Sequence, residues 1–166
     1  LRKALLRQDG RRVAANYGLD PRLGKYHRTF CEDCHRIAQG APPVLECEAC
    51  GSANVTRGVL DRIVQIADCD EMRMPPHRPP YQYQVPLQFV PGVGAVTLRK
   101  LISRYGSEMA VLHQAEPKDL AQTVGTRIAS LIIHAREGTL PLSAGGGGRY
   151  GKAAPGDPGQ LDLPGL

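Results

Sequence analysis

Four of the five cysteines stand in two pairs, Cys31-x2-Cys34 and Cys47-x2-Cys50, with twelve residues between the pairs. This donor set suits a structural zinc site. Each CxxC turn aims two sulfurs at one point, with Zn–S of about 2.3 Å. Gly51 follows the second pair, where such a turn favours a residue that tolerates positive φ. Four thiolates complete a tetrahedron and leave no open position for water, so the expected Zn2+ is structural. A segment this short has little core of its own, and zinc supplies on the order of 10 kcal/mol of folding energy in such modules. The alternatives are two disulfides or free thiols. Pairing within CxxC is strained, and no secretion signal precedes the cysteines. His27 and His35 flank the set but are not needed to complete it. Cys69 is the odd cysteine, expected as a small buried side chain at a helix end.

A second chemistry-bearing stretch is Phe89-Val-Pro-Gly-Val-Gly94, followed by Leu98-Arg-Lys-Leu-Ile-Ser-Arg-Tyr105. Leu98, Leu101, Ile102 and Tyr105 fall at i, i+3, i+4 and i+7, the apolar stripe of a helix. A PGVG turn between two short helices reads as a helix-hairpin-helix. Its glycines leave the backbone open to close approach. The N–H groups opening the second helix suit a DNA phosphate, a contact without base readout. The predicted contacts are therefore Gly92, Val93 and Gly94, with Arg99, Lys100 and Arg104 adding charge. A weaker echo, Leu120 to Ile133, places Gly125 at the Gly94 position and Thr123 at the Gly92 position. That hairpin is expected to be a structural partner.

Other patterns carry less. Gly146-Gly-Gly-Arg-Tyr-Gly-Lys152-Ala153 approaches a nucleotide-binding P-loop but has Ala where Ser or Thr must reach magnesium. Tyr81, Tyr83 and Arg78 suit base stacking or a phosphate track, but a linker packed on the zinc module is the favoured reading. No nucleophile–base triad or paired acidic cluster is legible, so no catalytic residue is assigned.

The elements that must position these groups follow from composition. The chain has 166 residues, 42% of them hydrophobic, with no Trp, so several small modules are favoured over one large core. Gly (19) and Pro (14) make a fifth of the chain and imply many turns. No stretch resembles a membrane span or signal peptide. The net charge of +5 favours a polyanionic partner. Residues 1–30 hold eight Arg and Lys against two Asp. Leu1–Arg7 reads as a helix end and Val13–Tyr17 as a short strand. Val59–Ala67 reads as a helix with Val59, Leu60, Ile63, Val64 and Ala67 on its packing side. Pro75, Pro76, Pro79 and Pro80 predict an extended linker. The residues after Ala153 lack the apolar surface to order. The fold class is α+β and multi-modular.

Several runs, in order, resemble one family. They are Gly24-Lys-Tyr-His27, the four cysteines, Thr56-Arg-Gly-Val-Leu-Asp-Arg62, Ile66-Ala-Asp68 and His77-Arg-Pro-Pro-Tyr81. Val85 to Gly94, Ala135-Arg-Glu-Gly138 and Ala144-Gly-Gly-Gly-Gly-Arg-Tyr-Gly-Lys152 complete the pattern. Over residues 10–152 the chain resembles the C-terminal part of endonuclease Q and its bacterial relatives, the PHP-domain DNA repair endonucleases. The resemblance implies that residues 1–28 are the end of a PHP α/β barrel and 29–68 a zinc-ribbon-like module. It makes 69–84 a Pro-rich linker, 85–138 a helix-hairpin-helix DNA-binding domain, and 139–166 a flexible Gly-rich tail. It further implies a cytoplasmic, nucleoid-associated protein that nicks DNA 5′ of uracil or hypoxanthine. The catalytic divalent metals would sit in a PHP domain upstream of Leu1, and the basic Arg11–Arg28 stretch would lie near DNA. The alternative is a non-catalytic zinc and hairpin scaffold, like recombination mediators such as RecR, which carry the two motifs in the opposite order.

Overall fold

A computed structural model describes residues 1–69, 71, 78–79 and 81–154. Pro75, Pro76 and Pro80 of the expected linker, and all but Ala154 of the end expected to be disordered after Ala153, lie outside these residues.

The main core is helical. Helices α3 (Ala95–Tyr105), α4 (Glu108–His113), α5 (Pro117–Val124) and α6 (Thr126–Glu137) pack around Leu87, Leu101, Leu120, Leu131 and Ile132, all essentially inaccessible. Burying each such side chain contributes about 1.5–3 kcal/mol. Local signals set the boundaries. Ser107 caps α4, its hydroxyl accepting from Ala110 N at 3.1 Å. Pro117 opens α5, where its missing N–H costs nothing. Arg136 on α6 donates to the carbonyls of Val111, Leu112 and Ala115 at 2.7–3.0 Å. It thereby satisfies acceptors that the end of α4 leaves unpaired.

The cysteine module is built on a two-residue antiparallel pair, β2 (Phe30–Cys31) against β3 (Val55–Thr56). Helix α2 (Val59–Ile66) follows. Its packing side is not the expected one. Val59, Ile63 and Ile66 are more than half exposed, and the residue it buries is Asp61 at 1%. The Asp61 carboxylate accepts from Thr29 N (2.9 Å), Val44 N (2.9 Å) and Arg28 Nε (3.2 Å). Three chain segments meet on one acid. Burial alone would raise the Asp61 carboxyl, but the Val44 and Thr29 amides and the Arg28 guanidinium outweigh it and hold it below the usual carboxylate range.

Residues 1–28 hold the short helix α1 (Arg2–Leu5), strand β1 (Asn16–Leu19) and a 3-10 turn over Pro21–Leu23. The strand begins three residues later than expected and lies parallel to β4 (Tyr81–Gln84), register Asn16 to Tyr81. The end of the proline stretch is thus more than a spacer. It packs on β1 and the helical core, not on the zinc module: Gln84 Nε2 lies 2.8 Å from His113 Nε2, and the Tyr17 ring is 4.7 Å from that imidazole.

The expected flexible tail is corrected over residues 139–154. Strands β5 (Leu142–Ser143) and β6 (Lys152–Ala153) pair antiparallel and enclose the glycine run. That run is laced to residues 22–28 as a strap. Gly145 N donates to Arg22 O (2.8 Å), Arg28 N to Gly145 O (2.9 Å), Gly148 N to Lys25 O (3.2 Å) and Gly151 N to Leu23 O (3.2 Å). Glycine is required by close approach. A Cβ on Gly147 would stand 2.4 Å from the Phe30 ring, and one on Gly151 would stand 2.2 Å from Arg22 O. The run lies between two paired strands, whereas a P-loop leads from a strand directly into a helix. Among the described residues no helix is long and apolar enough to cross a membrane.

Candidate metal centre and nucleic-acid interface

Cys31, Cys34, Cys47 and Cys50 converge with all four sulfurs within 4.8 Å of one another. Cys31 and Cys50 Sγ are 3.7 Å apart, and Cys34 and Cys47 Sγ are 3.4 Å apart. A regular tetrahedron with Zn–S of about 2.3 Å has S–S edges of about 3.8 Å, so the donor set fits zinc. The two turns are built alike. His35 N donates to Cys31 O (3.0 Å) and Cys31 N to Arg36 O (2.9 Å); Gly51 N donates to Cys47 O and Cys47 N to Ser52 O, both 2.8 Å. Each turn ends on a left-handed residue, Gly51 at φ 71° and His35 at φ 58°. His35 therefore fills the glycine position of the first turn and stacks on Phe30 at 5.9 Å.

The electrostatics call for a cation. The Ala49 and Cys50 amides hold the Cys47 thiol down to about 6. The Ser52 amide favours the Cys50 thiolate, but the Cys47 sulfur, burial and the other two sulfurs push it up to about 12. Four thiolates share this volume only around a positive ion. Neither His27 nor His35 joins the cluster, and Cys69 is exposed, contrary to the expected buried position.

The Gly92–Gly94 turn joins a 3-10 turn, Leu87–Phe89, to α3. Gly92 has φ 86°, and a Cβ there would touch Ile128 at 3.3 Å. Gly94 has φ −85° and open space around its Cβ position. Val93 differs from expectation. Its amide donates to Val90 O at 3.0 Å and its side chain is buried. Among the described residues the amides of Gly92 and Gly94 have no acceptor. In the second hairpin the positive φ moves to Gly125, at 85°. Thr123, at the Gly92 position, is buried and donates from Oγ1 to Asp119 O at 2.6 Å.

The basic residues separate into roles. Arg99 is exposed on α3. Lys100 Nζ donates to Thr123 O, which closes the end of α5. An ammonium has three N–H groups, so two remain. Lys100 and Arg104 line an open cleft of about 450 Å3 with Gln122. Near the N-terminus, Arg22 pairs with Asp20 at 2.7 Å with its side chain still 43% exposed, whereas Arg28 is buried on Asp61 and does not face solvent. Sequence reasoning missed Lys152. It lines a cleft of about 600 Å3 with Gln88 to Gly94. The Arg-Tyr-Gly-Lys ending of the glycine run, basic and aromatic together, was the available signal.

No protein-family model matches the chain. The uncharacterized protein YqxK of Bacillus subtilis is 53% identical over 155 residues, 92% of this chain and 38% of its own length. The uncharacterized protein MJ0043 of Methanocaldococcus jannaschii is 34% identical over 154 residues, 85% of this chain and 19% of its own. The chain thus spans well under half the length of the curated relatives it matches. Two crystal structures share its fold. The lesion-specific endonuclease PfuEndoQ from Pyrococcus furiosus has a TM-score of 0.72 and 32% identity over 92% of this chain and 40% of its own. An endonuclease Q complex with a 27-mer duplex bearing an abasic lesion at the active site gives 0.74 and 34%, over 98% of this chain and 43% of its own. With nearly its whole length superposing at a third identity, the chain belongs to the endonuclease Q family and corresponds to a C-terminal part of that enzyme.

Proposed function

We propose that this chain is the DNA-binding part of an endonuclease-Q-type repair nuclease. In this reading the whole enzyme nicks DNA 5′ of deaminated bases such as uracil and hypoxanthine. Hydrolysis belongs to a metal-bearing PHP domain, where metal-bound hydroxide attacks the phosphodiester. The part described here binds and positions DNA. Cys31, Cys34, Cys47 and Cys50 hold structural zinc. The region 85–138 acts as a helix-hairpin-helix domain.

One observation carries the reading: Gly92 and Gly94 present unused amides beside the start of α3, and nothing stands within 4 Å of the Gly94 Cβ position. A phosphate there gains two backbone hydrogen bonds and the positive end of the helix dipole. Val93 anchors the turn from below. Arg99, Lys100 and Arg104 add charge along the same helix. The matching enzyme structure with a DNA duplex supports the assignment.

Gly94→Val is the test. Its φ is ordinary and its Cβ meets nothing, so the variant folds while its side chain blocks phosphate approach. Fluorescence anisotropy with a labelled duplex should show at least a tenfold loss of affinity with zinc content unchanged. Equal binding by the variant removes the hairpin from the interface.

A further inference from the structure

Two motifs of the sequence remain without a role, Gly24-Lys-Tyr-His27 and the glycine run ending in Arg149-Tyr-Gly-Lys152. The fold brings them together beside the Gly92–Gly94 turn. Among the described residues Lys152 is the one charged residue lining the cleft beside that turn. Tyr150 meets Phe89, in the first arm of the turn, edge-on at 6.0 Å. Lys25 Nζ stands over the Tyr150 ring, 4.7 Å from its centroid. The Arg149 guanidinium lies 5.6 Å from the Phe30 ring. Lys25, Arg149, Tyr150 and Lys152 are all exposed.

We propose that the strap extends the DNA track: Lys152, and beyond it Lys25 and Arg149 around Tyr150, hold the phosphodiester backbone next to the phosphate taken by the hairpin. The inference rests on the hairpin reading above. Three features carry it. The cations have no carboxylate partner among the described residues. They are continuous with the hairpin through the Phe89–Tyr150–Lys25 ring contacts. The backbone that carries them is held in place, because the glycine run hydrogen-bonds to Arg22, Leu23, Lys25 and Arg28 and has no room for a side chain at Gly145, Gly146, Gly147 or Gly151. Surface cations usually sit on mobile segments and lose entropy on binding; these are held in place beforehand. A glycine run packed this closely positions the residues at its end, and those residues are basic and aromatic, the pairing that suits a nucleic-acid strand.

The test uses the zinc-loaded chain and a fluorescein-labelled 27-mer duplex with an abasic site. Affinity is followed from low to moderate salt for the wild type, Lys152→Gln, Lys25→Gln/Arg149→Gln and Gly94→Val. Each phosphate contact contributes about 0.9 to the slope of log K against log[salt]. Lys152→Gln should lower the slope by about one and weaken binding severalfold, and the double variant should lower it by about two. Lys152→Arg should restore the slope, which a merely structural role would not require. Unchanged slopes in both strap variants, with Gly94→Val still impaired, overturn the strap inference alone. A wild-type chain that binds no duplex overturns the hairpin reading and this one together.

Discussion

Replacing Asp61 with Ala removes the acceptor for two buried amides and the counter-charge of Arg28. Thr29 N and Val44 N lose partners at 2.9 Å, and among the described residues the buried Arg28 guanidinium keeps only Gly40 O, at 2.7 Å. A buried amide left unsatisfied costs about 1–3 kcal/mol, and breaking a buried ion pair from one side costs about 3–5 kcal/mol. These overlap, so about 4 kcal/mol is expected for Asp61→Ala, lowering Tm by about 10 °C in a chain of this size. The control is Asp9→Ala. Asp9 also pairs at 2.7 Å, with Lys3, but both side chains are about 60% exposed, and the loss should be about 0.5 kcal/mol or less. Urea unfolding with excess zinc measures both. A cost below about 1 kcal/mol for Asp61→Ala, or equal costs for the two variants, refutes the assignment of Asp61 as the knot of the module. The pH dependence has a definite sign. The folded Asp61 carboxyl lies below its unfolded value of about 3.9. Its stabilisation is therefore present above that value and is lost as pH falls through the lower folded value. Asp61→Asn should flatten that acid limb.

Removing zinc with a chelator should unfold the module around β2, β3 and their turns while the α3–α6 core persists on its own apolar cluster. Amide exchange checks this: protection should vanish over residues 30–56 and survive over 98–135, and uniform loss or uniform retention contradicts it. Lys100→Met should lower Tm by a few degrees, since Thr123 O loses its partner. It should also lower the salt slope of DNA binding, since two of the three ammonium N–H groups are free for a phosphate. A drop in Tm with an unchanged slope would make Lys100 purely structural.

The four-cysteine cluster was legible in the sequence because its chemistry is local. Each CxxC turn is closed within six residues, and Gly51 declares its backbone angle by its identity. Its counterpart His35 does not, because a non-glycine residue at positive φ is held there by the turn and the Phe30 ring. The α3 stripe and the two glycine turns were also local. What failed to show was set by distant partners. Helix α2 looks amphipathic with Val59 and Ile63 inward, yet a single acid decides its orientation through Thr29 and Val44, segments whose proximity no periodicity announces. Tyr81–Gln84 reads as the end of a linker because its pairing partner lies more than sixty residues upstream. The glycine run reads as a tail because its composition lacks apolar residues; the backbone and rings of residues 22–30 supply the surface it packs on.

The strap also fixes an order of assembly. Its bonds join residues 22–28 to 145–151, nearly the full described chain apart. Closing a loop of that length costs about 4 kcal/mol of chain entropy, and four hydrogen bonds of about 1 kcal/mol each barely offset it. The strap is therefore expected to dock once the cysteine module has placed the Phe30 ring and the helical core has formed. A chain could hold its metal and its four packed helices and still lack the Lys25–Tyr150–Lys152 face. That face exists only on the finished molecule, so a grip on DNA through it would report that folding is complete.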